Sequence, residues 1–270
     1  DHRDLHSFPT RRSSDLEKSK ISYATYIKHR LNGFEGDSPR RTPKDLEEYP
    51  AFSKRASSSG GVPTYSRPQC VGPISVKDLK PLEVDLQNFK EALSASESTD
   101  AFMNAASPGV IAQFQPNQHY PDHSSYLYAL ADAMKVEYEG IAEAGLVIQI
   151  DSPDLALGRH VLFKDQSDEE FVTMAELHIE ALNHALQNIP AEQLRLHVCW
   201  GNYQGPHHCD IEMKKILPAV LKAKPMALSF EGANPRHSHE WSVFRDAKIP
   251  ENKVLIPGVL DSTTNFVEHP

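Results

Sequence analysis

The sequence predicts an α/β fold, a (β/α)8 TIM-type barrel, on three observations. Short apolar runs alternate with longer amphipathic ones from residue 65 onward, the pattern of a parallel sheet with helices packed outside it. Nearly every apolar run ends in a polar or metal-capable residue, as expected where an active site is assembled from strand carboxyl ends. A length of 270 residues accommodates one such domain of about 250 residues. Alternation alone also fits a doubly wound sheet, but no GxGxxG follows the first run, which weakens a dinucleotide-binding reading.

The elements follow in chain order. Residues 1–16 contain His6-Ser7-Phe8-Pro9-Thr10-Arg11-Arg12-Ser13-Ser14-Asp15-Leu16, which resembles a translated sequencing-adapter oligonucleotide and is set aside as a non-native tail. Residues 17–64 are polar and rich in Ser, Pro and Gly. They are expected to hold a short helix near Ser19 to Leu31 and then a long loop containing Ser57-Ser58-Ser59-Gly60-Gly61. Residues 65–270 form the barrel segment. Its expected strands are 67–71, 101–106, 146–150, 194–199, 226–230 and 254–259. Helices are expected where apolar residues recur at steps of three and four: Leu82, Leu86, Phe89 and Leu93; Leu127, Leu130, Met134, Tyr138 and Ile141; and Phe171, Met174, His178, Leu182 and Ala185.

Composition excludes several classes of function. The 37 acidic residues exceed the 28 Lys and Arg, giving a net charge of -9, which argues against nucleic acid as a main partner. No apolar run approaches the roughly 20 residues that span a bilayer, so no membrane partner is expected. Cys70, Cys199 and Cys209 form no disulfide framework, and a reduced, cytoplasmic setting is the simpler expectation.

The strand ends carry Cys70, Ser107, Asp151, His197 with Cys199, Glu231 and Asp261. His197-x-Cys199 is the sharpest signal. Alternate strand residues share a face, and imidazole with thiolate suits zinc. Alone, a His-x-Cys pair is more often core or chance than a metal site. Glu231, at the next strand end, offers a third donor. His207, His208 and Cys209 are rival ligands, but adjacent residues rarely all face one ion; loop packing or substrate contact is favoured for them. Ser238 is expected to cap the helix that begins near Trp241.

Four stretches then resemble one family. Leu196-His197-Val198-Cys199-Trp200-Gly201-Asn202, Ile148-Gln149-Ile150-Asp151-Ser152-Pro153, Ser229-Phe230-Glu231 and Pro257-Gly258-Val259-Leu260-Asp261 are similar to the catalytic domain of cobalamin-independent methionine synthases, particularly their single-domain homologues. The resemblance runs from about residue 65 to the end. It implies a barrel, a catalytic zinc held by His197, Cys199 and Glu231, and Asp151 as the carboxylate that binds the amino group of homocysteine. It implies methyl transfer from a methylated folate to the homocysteine sulfur. Asp151-Ser152-Pro153 stands where the synthases carry Asp-Glu-Pro. Asp261-Ser262-Thr263 stands where a histidine is expected. The family's opening strand and last cysteine ligand fall outside this sequence, so a barrel incomplete at both ends, poorly stable and weakly active, is expected. Two alternatives remain: a related zinc thiol alkyltransferase or lyase with another donor, and a non-catalytic gene fragment. The oligomeric state is left open.

Overall fold

The computed structural model describes residues 23–39, 41–58, 67–201, 204–261 and 264. The adapter-like tail and most of the Ser-Gly stretch lie outside the described residues. Helix α1 (Tyr23–Arg30) leads directly into β1 (Leu31–Glu35), and α2 (Lys44–Glu48) and α3 (Pro50–Ser58) follow. The expected long loop therefore contains a strand and two helices. Sequence patterning hid β1 because its buried residues, Leu31 and Phe34, are three apart, a helical rather than a strand spacing. A bulge between Asn32 and Phe34 produces that offset.

The expected first barrel strand is also corrected. β2 (Gln69–Val76) pairs antiparallel with β1 in a separate two-stranded sheet. It meets the rest of the protein through a bridge from Cys70 to Asn117. Cys70, fully buried, is thus a packing residue of this ribbon and not a member of the parallel row.

The parallel sheet contains β3 (Phe102–Ala106), β4 (Val147–Asp151), β5 (Leu194–His197), β6 (Ala227–Phe230) and β7 (Val254–Pro257), in that order across the sheet. Strand order equal to chain order, with helices in the connections, is the topology of successive β/α units. Among the described residues no strand joins β3 to β7, so the sheet is open there. The α/β class is found, and five of the six expected strands lie in the parallel sheet; among the described residues a closed eight-stranded barrel is not formed.

The connecting helices are α4 (Lys80–Ser94), α5 (Pro108–Phe114), α6 (His123–Glu143), α7 (Gly158–Val161), α8 (Asp168–Ala185), α9 (Met213–Val220) and α10 (Trp241–Asp246). The α6 stripe expected from sequence is the core: Leu127, Leu130, Met134, Tyr138 and Ile141 are all buried, packed with Phe171, Ile179 and Leu182 of α8. Local chemistry fixes the helix starts. Asp122 accepts the Ser125 N–H, and Ser167 with Glu170 forms a reciprocal capping box. The expected Ser238 cap is absent. Residues Ser238–Glu240 form a 3-10 turn, and Glu240 precedes α10 without a side-chain cap.

The two faces of the parallel sheet differ. Ile148, Ile150, Leu194, Leu196 and Leu228 are buried against the helices. Alternation puts Asn104, Gln149 and Arg195, and then Asp151, His197 and Ser229, on the other face.

Gly33 is needed at the β1 bulge. Its φ is +92°, and a Cβ there would sit 2.7 Å from the Gly72 carbonyl oxygen and 2.9 Å from that of Pro73. We expect Gly33→Ala to lower unfolding stability by about 1–3 kcal/mol, read as a lower urea midpoint with unchanged slope. A wild-type midpoint would contradict the close approach.

Candidate active site at the strand carboxyl ends

The parallel register aligns Ala106, Asp151, His197 and Ser229 across four adjacent strands. Backbone contacts carry the alignment into the loops: Ser107 N–H donates to Asp151 O, Ser152 N–H to His197 O and Val198 N–H to Ser229 O. The residues expected from sequence to act together therefore start as neighbours.

Asp151 is buried at the centre of the row. Its Oδ1 accepts from Gln149 Nε2 at 2.8 Å and lies 3.0 Å from His197 Nδ1, while Oδ2 accepts from Asn104 Nδ2 at 2.8 Å. Burial pushes this carboxyl up, but the hydrogen bonds from His197, Asn104 and Gln149 outweigh it and hold the group below the usual carboxylate range. His197 keeps a third of its side chain exposed. With Nδ1 turned to Asp151, its Nε2 is the nitrogen left for a ligand or substrate.

Cys199 lies just beyond β5, where Gly201 N–H donates to its sulfur at 3.1 Å. Burial pushes its thiol up to about 12; the Gly201 N–H opposes this, and the Glu231 and Asp151 carboxylates add to it. Glu231, after β6, accepts the Trp200 N–H through Oε1 at 3.3 Å. Its Oε2 is buried without a hydrogen bond, 3.6 Å from Arg236 Nη2. Trp200 anchors the loop: it is fully buried, its indole N–H donates to Ile211 O at 2.8 Å, and its ring stacks on His237.

The structure thus brings Asp151 to His197, and Cys199 to Glu231. It does not gather His197, Cys199 and Glu231 into one set. Among the described residues, the two groups of His, Cys and carboxylate donor atoms lying within 4.8 Å of one another are Asp45–His208–Cys209 and Asp45–His160–Asp210.

Sequence reasoning missed a polar chain beginning at the end of β3. Ser107 Oγ accepts the Val110 N–H and donates to Asp154 Oδ1 at 2.7 Å; Asp154 Oδ2 lies 2.8 Å from His178 Nδ1; His178 Nε2 lies 2.8 Å from His123 Nε2. Gly109 permits this packing, because a Cβ there would lie 2.0 Å from Asp154 Oδ2. The available signal was His178 itself, a polar residue within the apolar stripe of α8.

No protein-family profile matches the chain. It is 29% identical over 173 residues to a methionine synthase of Saccharolobus solfataricus, covering 62% of this chain and 47% of the relative. It is 30% identical over 145 residues to a methionine synthase of Saccharolobus islandicus, covering 52% and 40%. The chain spans less than half the length of these curated relatives. A B12-independent methionine synthase from Shewanella sp. W3-18-1, solved in complex with selenomethionine, matches with a TM-score of 0.59 at 19% identity over 91% of this chain and 63% of that one. The resemblance carried by the four motifs is thus borne out, in sequence by the archaeal synthases and in fold by the B12-independent enzyme. Among the described residues no helix is long and apolar enough to cross a membrane.

The His123–His178 pair has a measurable consequence. Burial, then the neighbouring His178, lowers the His123 pKa to about 4. The unfolded chain therefore binds a proton near pH 6.5 that the folded chain refuses. The stability present above pH 6.5 should fall as the pH drops toward 4 and be lost below it. A pH titration of the imidazole signals by NMR should show His123 neutral down to about pH 4; a midpoint near 6.5 would contradict this environment.

Proposed function

We propose that this chain forms the zinc-dependent catalytic part of an enzyme of the B12-independent methionine synthase type, moving a methyl group to the thiol of homocysteine to give methionine. The observation that carries this reading is the strand-end row: Asp151 fixed on His197, with Cys199 and Glu231 paired on the next loops. The sequence likeness to methionine synthases supports the reaction class.

The donor chemistry suits a divalent cation. Cys199 is a half-buried thiol under the influence of the Glu231 and Asp151 carboxylates, and Glu231 has a buried oxygen without a hydrogen bond, 3.6 Å from Arg236 Nη2. A protonated thiol beside carboxylates becomes a ligand set for a divalent cation when the metal displaces its proton. His197 Nε2, Cys199 Sγ and Glu231 would hold the zinc once their side chains converge. Zinc, when bound, supplies the Lewis acidity that keeps a coordinated thiol deprotonated at neutral pH. The thiolate is the nucleophilic form of the substrate sulfur.

The other steps belong to the chain's own residues. Asp151 stays ionised, so it can bind an ammonium group and also orient the His197 ring, as a carboxylate behind a ligand histidine does. Trp200, buried and stacked, fixes the loop that carries Cys199. These contacts align the sulfur with the methyl donor and limit its motion, the usual source of rate in a displacement. A methylated folate is the donor proposed. The small-molecule thiol is held beside Asp151. The setting proposed is the cytoplasm.

The direct test is zinc content and methyl transfer to homocysteine from 5-methyltetrahydrofolate. Cys199→Ser and His197→Ala should each lose the Cys199-dependent zinc and lower turnover by a factor of about 1,000 or more. Transfer that survives Cys199→Ser, or wild-type protein that takes up no Cys199-dependent zinc, would refute the proposal. Zinc binding with transfer only from other alkyl donors would replace the folate and keep the zinc.

Asp151→Asn separates the two roles of that residue. It should weaken zinc binding about 10–100-fold through the loss of the His197 partner and raise the KM for homocysteine. Unchanged zinc affinity would leave only the substrate role.

A further inference from the structure

A second concentration of metal-capable side chains lies away from the strand-end row, where three distant parts of the chain meet. Asp45 comes from α2, His160 from α7 and Asp210 from the loop that follows β5. Asp45 and His160 are fully buried, and the Asp210 side chain is 6% exposed. His160 Nδ1 lies 3.1 Å from Asp45 Oδ2 and 3.2 Å from Asp210 Oδ1.

These short separations are ion-pair contacts without the alignment of a good hydrogen bond. Both ring nitrogens of His160 and Oδ2 of Asp45 are buried without a hydrogen-bond partner. The atoms are close, but the N–H direction does not fall on either oxygen. Two ligand atoms at about 2.0–2.1 Å from one ion, at coordination angles of about 90–110°, stand about 2.8–3.4 Å apart. The observed 3.1 and 3.2 Å fall inside that interval. All three donor atoms lie within 4.8 Å of one another.

The surroundings hold these donors in place. Asp45 Oδ1 accepts the Cys209 N–H at 2.8 Å and lies 3.0 Å from His208 Nδ1. Asp210 is gripped by His207 Nδ1, 3.1 Å from Oδ1 and 3.0 Å from Oδ2, and by His237 Nε2 at 2.8 Å from Oδ2. Such outer contacts orient the carboxylates of metal sites. A buried imidazole with Nδ1 poorly aligned on two buried carboxylates and Nε2 without a hydrogen bond is costly; a divalent ion between the Nδ1 and the two carboxylates uses all three donors. The rival grouping, Asp45–His208–Cys209, is less suited. Its His208 is exposed and already paired with Glu48, so it is not held for an ion as the fully buried His160 is.

We propose that Asp45, His160 and Asp210 form a second, structural metal site for a divalent transition ion of the zinc class. One imidazole and two carboxylates suit zinc or a similar ion better than calcium, which takes six to eight oxygen ligands. The site pins the N-terminal segment against the loop that carries His207 to Asp210. It fastens residues 45, 160 and 210, whose separation in sequence makes a cross-link strongly stabilising.

The test uses the full chain carrying Cys199→Ser, which disables the strand-end site, so that failure of one site is not mistaken for failure of the other. After chelator treatment, reloading with zinc and desalting, this protein should retain one zinc per chain by elemental analysis. Adding His160→Ala should reduce that content at least tenfold, whereas adding Cys209→Ser should leave it in place. Zinc should raise the Tm of the Cys199→Ser protein by roughly 5–10 °C at a hundredfold excess over Kd. If His160→Ala does not fold, the Tm shift and the cobalt-substituted spectrum of Cys199→Ser decide, with nitrogen and oxygen ligation and no thiolate charge-transfer band expected. Absence of zinc and of the Tm shift in Cys199→Ser, retention of the zinc after His160→Ala, its loss after Cys209→Ser, or a thiolate band would each overturn the proposal.

Discussion

The parallel register of β3 to β6 is the constraint on which the rest of this structure depends. It places Ala106, Asp151, His197 and Ser229 in one transverse row. A slip of one residue in any strand would turn its member of that row into the apolar core. The same register puts Asn104 and Gln149 one layer below, where they donate to Asp151 and keep it ionised despite burial. Packing thus enforces the electrostatics: the helix-facing residues Ile148, Ile150, Leu194 and Leu196 can be buried in only one register.

The loops after the strands hold a larger polar investment than the strands themselves. Ser107, Asp154, His178 and His123 form one chain; Asp45, His160, His207, Asp210, His237 and Glu240 form another. Buried ionisable groups are costly unless matched, and nearly all of these are matched through loops positioned by Trp200, Gly109 and the strand ends. Those that make ion pairs without an aligned hydrogen bond, His160 and Oε2 of Glu231, stand beside donors able to share a cation.

The elements most legible in the sequence were those whose pattern is local. The α6 stripe from Leu127 to Ile141 and the strands ending at Asp151, His197 and Phe230 follow from period and length alone. β1 was not legible, because its bulge at Gly33 disguises a strand as a turn of helix. The run at β2 looks like a barrel strand because an isolated apolar run does not reveal its pairing partner. Ser238 was read as a cap because hydroxyl chemistry before a helix is a local signal, while the 3-10 turn that displaces it depends on how Asn234 and His237 fold back.

By itself, the sequence determined the α/β class, the principal helices and the identity of the residues at the strand ends, because periodicity and residue chemistry are properties of neighbours along the chain. It also fixed the likeness to methionine synthases through four short motifs. Only the tertiary structure decided the rest. It set the β1–β2 ribbon apart from the parallel sheet, turned His197 toward Asp151, and paired Cys199 with Glu231. It alone brought Asp45, His160 and Asp210 together. Contacts across 115 and 50 residues of chain leave no periodic trace in sequence; they exist only once the segments between them have folded.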